Sequence, residues 1–409
     1  MKHISMTSQT CSGCTACLSV CPKDAISFSS DSEGFQIPIV DEEKCIDCGI
    51  CIKTCPAINI NQKKDSDFEQ KAYAFQYHDE ATRQHSASGA LFPAFAQYFI
   101  NTLHGYVCGC VLNENISPVH IVSNKWHDVE RMQDSKYVQS DMGNCFKQIE
   151  DLLNKQYPVL FTGTSCQVAG LKASLAKKNI SSENLLTIDF FCHGVPSPLI
   201  WKEYINYYEK QHKRKVIGYR FRNKKFGWGK GPEARGTCFL SCVKYKTNRN
   251  LDKAPLKFDD VSFSARQWFR IFFSNLCIRQ YCHQCPYTNI QKPADITMGD
   301  FWGIEQSHAH FDDHKGCSLA LVRTQKAHQW LLSLSNTELL EVSINDIIRR
   351  QGNAFNPSKA HSLRRNFWTD YQSHGYTYVF NKYLGNNLKY RTKDMIKYLL
   401  FLLHLKKYG

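Results

Sequence analysis

Eight cysteines in the first 55 residues constrain this chain more than any other feature. Cys11, Cys14, Cys17 and Cys21, closed by Pro22, form a C-x2-C-x2-C-x3-C-P run. Cys45, Cys48, Cys51 and Cys55, closed by Pro56, repeat it. Three thiols two residues apart can wrap one centre in a tight turn, and the proline then turns the chain away. With 19 Cys in 409 residues, the chain is too long and too Cys-poor for a small disulfide scaffold. The opening MKHISMTSQT lacks the apolar run of a secretory signal. No stretch approaches the roughly 20 apolar residues of a membrane-spanning helix. The expectation is a cytoplasmic chain whose reduced, clustered thiols serve metal or redox chemistry.

The repeat matches the bacterial two-cluster ferredoxin signature, in which the fourth cysteine ligates the other cluster. Cluster one then takes Cys11, Cys14, Cys17 and Cys55, and cluster two takes Cys45, Cys48, Cys51 and Cys21. Ala25–Phe28 and Phe35–Val40 read as short strands around a turn at Gly34. C-x2-C pairs also serve zinc, but zinc has no use for two identical four-Cys-Pro runs. Most folding energy of such a head comes from its metal sites, because 60 residues bury little surface. A two-cluster head moves single electrons and makes no bonds, so any bond chemistry lies downstream.

Downstream, strand-like runs alternate with helix-like runs, which predicts α/β layers. Pro158–Thr164 and Leu185–Cys192 read as strands, followed by helical segments Gln167–Lys178 and Pro198–Lys213. Asn61–Gln70 lacks periodicity and reads as a linker. The expected organisation is a head at 1–62, a linker at 63–71, two parts of one domain at 72–155 and 156–350, and a tail at 351–409. In fold terms this is an α+β ferredoxin-like N-terminal domain, an α/β domain with a mixed sheet, and a helical tail. Cys166 and Cys192 each follow a strand, and carboxyl ends of strands face the binding crevice of an α/β sheet. With the Cys282–Cys285 C-x2-C pair they make four ligands, enough for one cubane or one zinc; Cys277 is the reserve. Gly163 and Thr164 precede a helix, and Ser86, Ser88 and Gly89 open another. Such starts either hold phosphate or are ordinary caps.

Six stretches in order resemble one known family: SASGALFPAF (86–95), SKYVQS (135–140), FTGTSCQVAGL (161–171), DFFCHGVPSPLIW (189–201), FRNKKFGW (221–228) and CHQCPYTNIQKPADITMGDFWGIE (282–305). This is the coenzyme F420 (deazaflavin) hydrogenase/dehydrogenase beta-subunit family, often preceded by a ferredoxin head. The resemblance spans about Ala72 to Arg323. It implies FAD and a further 4Fe–4S cluster, making three clusters with the head. It also implies electron passage between a two-electron carrier and iron–sulfur centres. Relatives reduce other small molecules or stand beside polysaccharide-synthesis genes. Carried over by motif, Cys166, Cys192, Cys282 and Cys285 ligate the third cluster. Ser86, Ser88, Gly89, Lys136, Tyr137, Gly163, Thr164 and Gln167 form the flavin set, with Lys136 on phosphate or the flavin edge and Tyr137 stacking. His193 is the candidate proton donor, or a histidine that tunes the cluster. Asp300 and Trp302 line the active face or simply end a strand. Two departures from the family pattern are Gly89-Ala90 in place of paired glycines and Ser165 in place of proline. The remaining cysteines, Cys108, Cys110, Cys145, Cys238, Cys242 and Cys317, read as buried small hydrophobes.

The net charge of +14 is uneven: residues 1–62 carry 4 basic and 7 acidic groups, residues 355–409 carry 10 and 2. No aromatic-interleaved basic motif supports nucleic-acid binding. The apolar core of the tail, Met395–Leu405, is too short to span a bilayer. With flanking lysines it reads as a helix lying on the inner membrane face, or docked on the protein itself. The expected activity is an iron–sulfur flavoprotein oxidoreductase working between a ferredoxin-like or other redox protein and a small two-electron substrate. The alternative is an electron-carrier subunit with no substrate site.

Overall fold

A computed structural model describes residues 3–60, 67–224, 227–228, 241–246, 256–260, 262, 264–384 and 388–403. Part of the expected linker, one of the unassigned cysteines (Cys238) and the last lysines of the tail lie outside these residues. In the head, β1 (Ile26–Ser30) and β2 (Gln36–Val40) form an antiparallel hairpin. Two five-residue helices, Ala16–Val20 and Ile50–Thr54, follow the two cysteine-rich turns.

The body is a mixed α/β structure built on one large sheet. Its strands are β3 (Lys71–Tyr77), β4 (Tyr106–Leu112), β5 (Pro118–Ser123), β6 (Val159–Thr162) and β7 (Leu185–Phe190). A separate antiparallel sheet contains β8 (Lys215–Arg220), β9 (Cys242–Lys246) and β10 (Lys257–Asp259). The large sheet is completed by β11 (Ile296–Asp300), β12 (Ser318–Val322) and β13 (Thr337–Val342). Its order is β13-β3-β12-β11-β7-β6-β4-β5. Strands β4, β6, β7 and β11 run parallel, and the outer pairings are antiparallel. The sheet therefore runs uninterrupted across residue 155, where the two expected parts of the domain meet.

The central strands are apolar on both faces because both faces are covered. Every residue of β6 and β12 is buried. Alternate residues serve opposite cores: Tyr73, Phe75, Leu160 and Leu186 on one side, Ala72, Ala74, Leu319 and Leu321 or Val159 and Phe161 on the other. The strands stop sooner than their apolar runs suggest. After Thr162 the chain turns through Gly163 so that Thr164 can cap the helix Ser165–Lys177. After Phe190 it leaves the sheet toward Cys192. The parallel strands thus deliver Cys166, Cys192 and Asp300 to one edge.

The chain ends in two helices, Arg364–Tyr383, broken at Gly375, and Leu388–Leu402. Among the described residues no helix is long and apolar enough to cross a membrane.

Candidate functional site

The cysteines form three sets. Cys11, Cys14, Cys17 and Cys55 are all buried. Burial pushes the Cys14 and Cys17 thiols far above their ordinary pKa, and charge on Cys11 and Cys55 raises both further. The second set, Cys21, Cys45, Cys48 and Cys51, lines one opening beside β1 and β2. Cys48 is exposed and Cys21 and Cys45 are half-buried, so this set meets solvent. Residues held at positive φ, Gly13 and Thr15 in one turn and Asp47 and Gly49 in the other, curl each loop around its thiols.

The third set combines Cys166 and Cys192 from the sheet edge with Cys282 and Cys285 from the short turn Gln280–Gln284 and its end. Burial raises all four; Cys192 reaches about 11 and Cys285 about 12. Charge on Cys166 and Cys192 acts on both Cys282 and Cys285, so the four sulfurs are neighbours. The N-terminus of the Ser165 helix faces this set. The backbone N–H groups of Cys166 and Gln167 and the Thr164 hydroxyl, 3.1 Å from Cys166 Sγ, pull that thiol down. Lys292 lies close enough to lower Cys192 and Cys285. Between two of the ligands, His283 Nδ1–H donates to Ser358 O, 2.7 Å away, and its buried Nε2 has no partner among the described residues. Cys277 stands apart, fully buried in the aromatic core with its Sγ at Ile271 O.

Donor chemistry suits iron–sulfur cubanes: three sets of four thiols, the first buried, the third half-buried and the second open to solvent. Among the described residues no three His, Cys, Asp or Glu side chains close on one point tightly enough for a single ion. A zinc ion needs its sulfurs about 2.3 Å from one centre.

The head is packed on the body so that the first set adjoins the third. Both head helices pack on the Ser165 helix. Gly170 of that helix touches the first set directly: a Cβ there would lie 2.9 Å from Cys14 Cβ and 3.0 Å from its Sγ. Cys166 and Gly170 are one helical turn, about 6 Å, apart. Charge on Cys166 accordingly acts on Cys14. Tyr281 and Tyr287 lie between the two sets, each under the influence of Cys14, Cys166 and Cys285. Ser19 and Ser174 donate to Glu150 at 2.7 and 2.6 Å, and Lys178 pairs with the same carboxylate at 2.7 Å. Arg364 pairs with Glu33. Arg279, Gly170, Tyr281 and Tyr287 were not singled out by sequence reasoning. Their only local signal is an arginine and two tyrosines beside the C-x2-C turn.

The flavin set is dispersed among other duties. Ser86 Oγ donates to Thr82 O at 2.9 Å and Ser88 Oγ to Cys317 O at 2.6 Å. Gly89 lies tight against Phe75 O and Ser318 N. The Lys136 ammonium donates to the carbonyls of Arg131, Met132, Gln133 and Asp134, closing the end of the helix Trp126–Met132. Tyr137 packs among Phe221, Phe269 and Phe272, and burial raises its hydroxyl to about 12. Gln167 Oε1 accepts from the Thr164 N–H at 2.8 Å, above Gly163, while its Nε2 donates to Ser140. The polar side chains of the set are thus engaged with the protein's own groups. His193 Nε2 hydrogen-bonds Asn275 Oδ1 at 2.8 Å, with its ring against Phe272. Asp300 is held by Arg222 Nη1 at 2.7 and 2.9 Å, and Trp302 stacks on Trp228. Of the other cysteines, Cys108, Cys145, Cys242 and Cys317 are buried and Cys110 is half-buried.

Residues 157–346 match the family described as the C terminus of the coenzyme F420 hydrogenase/dehydrogenase beta subunit. Those residues belong to that family. Residues 10–59 match the 4Fe–4S dicluster domain. The chain is therefore an iron–sulfur redox protein, with a dicluster segment preceding a region similar to the coenzyme F420 hydrogenase/dehydrogenase beta subunit. One solved structure, the xenon-derivatised F420-reducing [NiFe] hydrogenase complex from Methanosarcina barkeri, is similar at 14% identity, over 66% of this chain and 81% of that one, with a TM-score of 0.42. No curated protein matches the chain.

Proposed function

We propose that the chain is a three-centre electron conduit. Cys21, Cys45, Cys48 and Cys51 hold an outer 4Fe–4S cluster, Cys11, Cys14, Cys17 and Cys55 a middle one, and Cys166, Cys192, Cys282 and Cys285 an inner one. Each cluster supplies reversible one-electron storage when bound. The observation that carries the proposal is the single turn of helix joining Cys166 to the residue that touches Cys14. The protein's own part is to fix this spacing, exclude water from the middle set and leave one set open. Along the open set's loop, Asp41, Glu42, Glu43 and Asp47 flank exposed Ile46, with Lys44 paired to Asp41. That surface suits a redox protein with a basic rim around its own centre.

FAD and a small two-electron substrate form the finer part of the proposal, supported by the family alone, and no step is assigned to them. The engaged flavin set and the His193–Asn275 bond favour the second reading, a carrier protein without a substrate site. Anaerobic purification decides between the two. About twelve irons per chain, with acid-released flavin bleached by a small-molecule reductant, supports the enzyme; the same iron without flavin supports the carrier. An iron count near eight overturns the inner site.

Peripheral contact with an anionic membrane face is proposed for the last helix. Leu388, Met395, Ile396, Leu399 and Leu403 are exposed there, while Tyr398 and Asp394 face Arg266. Lys393 and Lys397 flank the exposed apolar stripe.

A further inference from the structure

Arg279 is fully buried, one of the largest such side chains in the protein. Its backbone belongs to the inner set: its N–H donates to Val195 O at 2.9 Å, three residues after Cys192, and its carbonyl accepts from Cys282 N at 3.0 Å. Its side chain belongs to the head. Nε donates to Cys11 O at 2.6 Å, Nη2 to Gln36 O at 3.0 Å, and Nη1 to Gln139 Oε1 at 2.8 Å. Gln139 in turn donates to Ser12 O, and the guanidinium lies 5.2 Å from the Phe35 ring. Gly13, at φ 75°, leaves the room: a Cβ there would strike Gln139 Nε2 at 2.3 Å and sit 3.1 Å from Arg279 Nη1.

All of these acceptors are neutral. Among the described residues no carboxylate pairs with Arg279, yet a buried cation without an anion costs several kcal/mol. Groups that become anionic on cluster binding lie on both sides: the Cys11 loop, which its side chain bonds, and Cys282, whose N–H bonds its carbonyl. The opening that holds Cys21, Cys45, Cys48 and Cys51 shares no residue with its contacts.

We propose that Arg279 is the shared countercharge of the middle and inner sites and sets the reduction potential of both. The inference rests on the three-site reading above. Reducing either site adds one electron and one negative charge, and a fixed buried cation beside it favours that state. The same residue bonds the Cys11 loop and the Cys282 turn, so it is a positioning residue as well as a charge.

The test is a redox titration, followed by electron paramagnetic resonance, of anaerobically reconstituted full-length protein carrying Arg279→Gln or Arg279→Lys. In Arg279→Gln two of the three signals should become harder to reduce by at least tenfold, 59 mV for a one-electron couple. The third, belonging to the open site, should not move, and Arg279→Lys should keep most of the wild-type values. Unchanged potentials, or equal shifts at all three sites, overturn the proposal. So does loss of iron from Arg279→Lys, which keeps the charge. A wild-type protein lacking three signals would instead refute the three-site reading itself.

Discussion

Gly170→Val probes the docking of the head on the Ser165 helix. Taken alone, replacing a helical glycine by valine gains a few tenths of a kcal/mol. Here a Cβ would already lie 2.9 Å from Cys14 Cβ and 3.0 Å from its Sγ, and valine adds two further carbons. Cys14 sits in a buried loop, and as a proposed cluster ligand it has no room to swing aside. Overpacking of this kind costs about 1–3 kcal/mol, so the clash outweighs the helical gain. Each kcal/mol moves a melting midpoint by roughly 2–4 °C in a unit of this size. Heating the anaerobic holoprotein while following its visible iron–thiolate absorbance reads the loss directly. The midpoint should fall by several degrees, whereas Gly352→Ala, with nothing within 4 Å of the new carbon, should leave it in place. A Gly170→Val midpoint at or above wild type would refute the contact between head and helix.

Cys282→Ala should lower iron by about four per chain and leave both head signals intact; an unchanged iron count rejects the inner set. Cys48→Ala should abolish reduction by a partner protein while dithionite still reduces the middle and inner sites; unaltered partner-driven reduction counts against the open set as the port. Burial holds His120 near 4, below its unfolded value. The unfolded chain therefore binds the extra proton between about pH 4 and 6.5, and stability falls as pH drops through that window. His120→Gln should flatten that acid limb in urea titrations, and an identical pH profile would contradict it. Deleting residues 391–409 should abolish sedimentation with anionic vesicles, and an intact chain that never sediments removes the membrane reading.

The dicluster head was the most legible part of this chain, because loops that wrap a cluster write their spacing locally. The α/β body was legible too, through continuous apolar runs such as VLFT and SLALV that only a doubly covered sheet can bury. The surroundings of Lys136 and Tyr137 were not legible. Lys136 and Tyr137 look like a phosphate hand and a stacking ring in one dimension; in three, a helix end captures the ammonium and three phenylalanines enclose the ring. Arg279 and Gly170 act on the head from more than 150 residues away in sequence, and no local pattern encodes such a contact.

The contrast between enclosed and open cysteine sets also governs how the protein ages. A thiol such as Cys14 or Cys17, pushed far up by burial, must shed its proton when metal enters. That exchange is easiest before the head closes on the Ser165 helix, so maturation runs from the inside outward. On the three-site reading wear runs the other way: oxidants and chelators reach exposed Cys48 first and the buried first set last. A worn molecule is therefore one that has lost its door but kept its corridor.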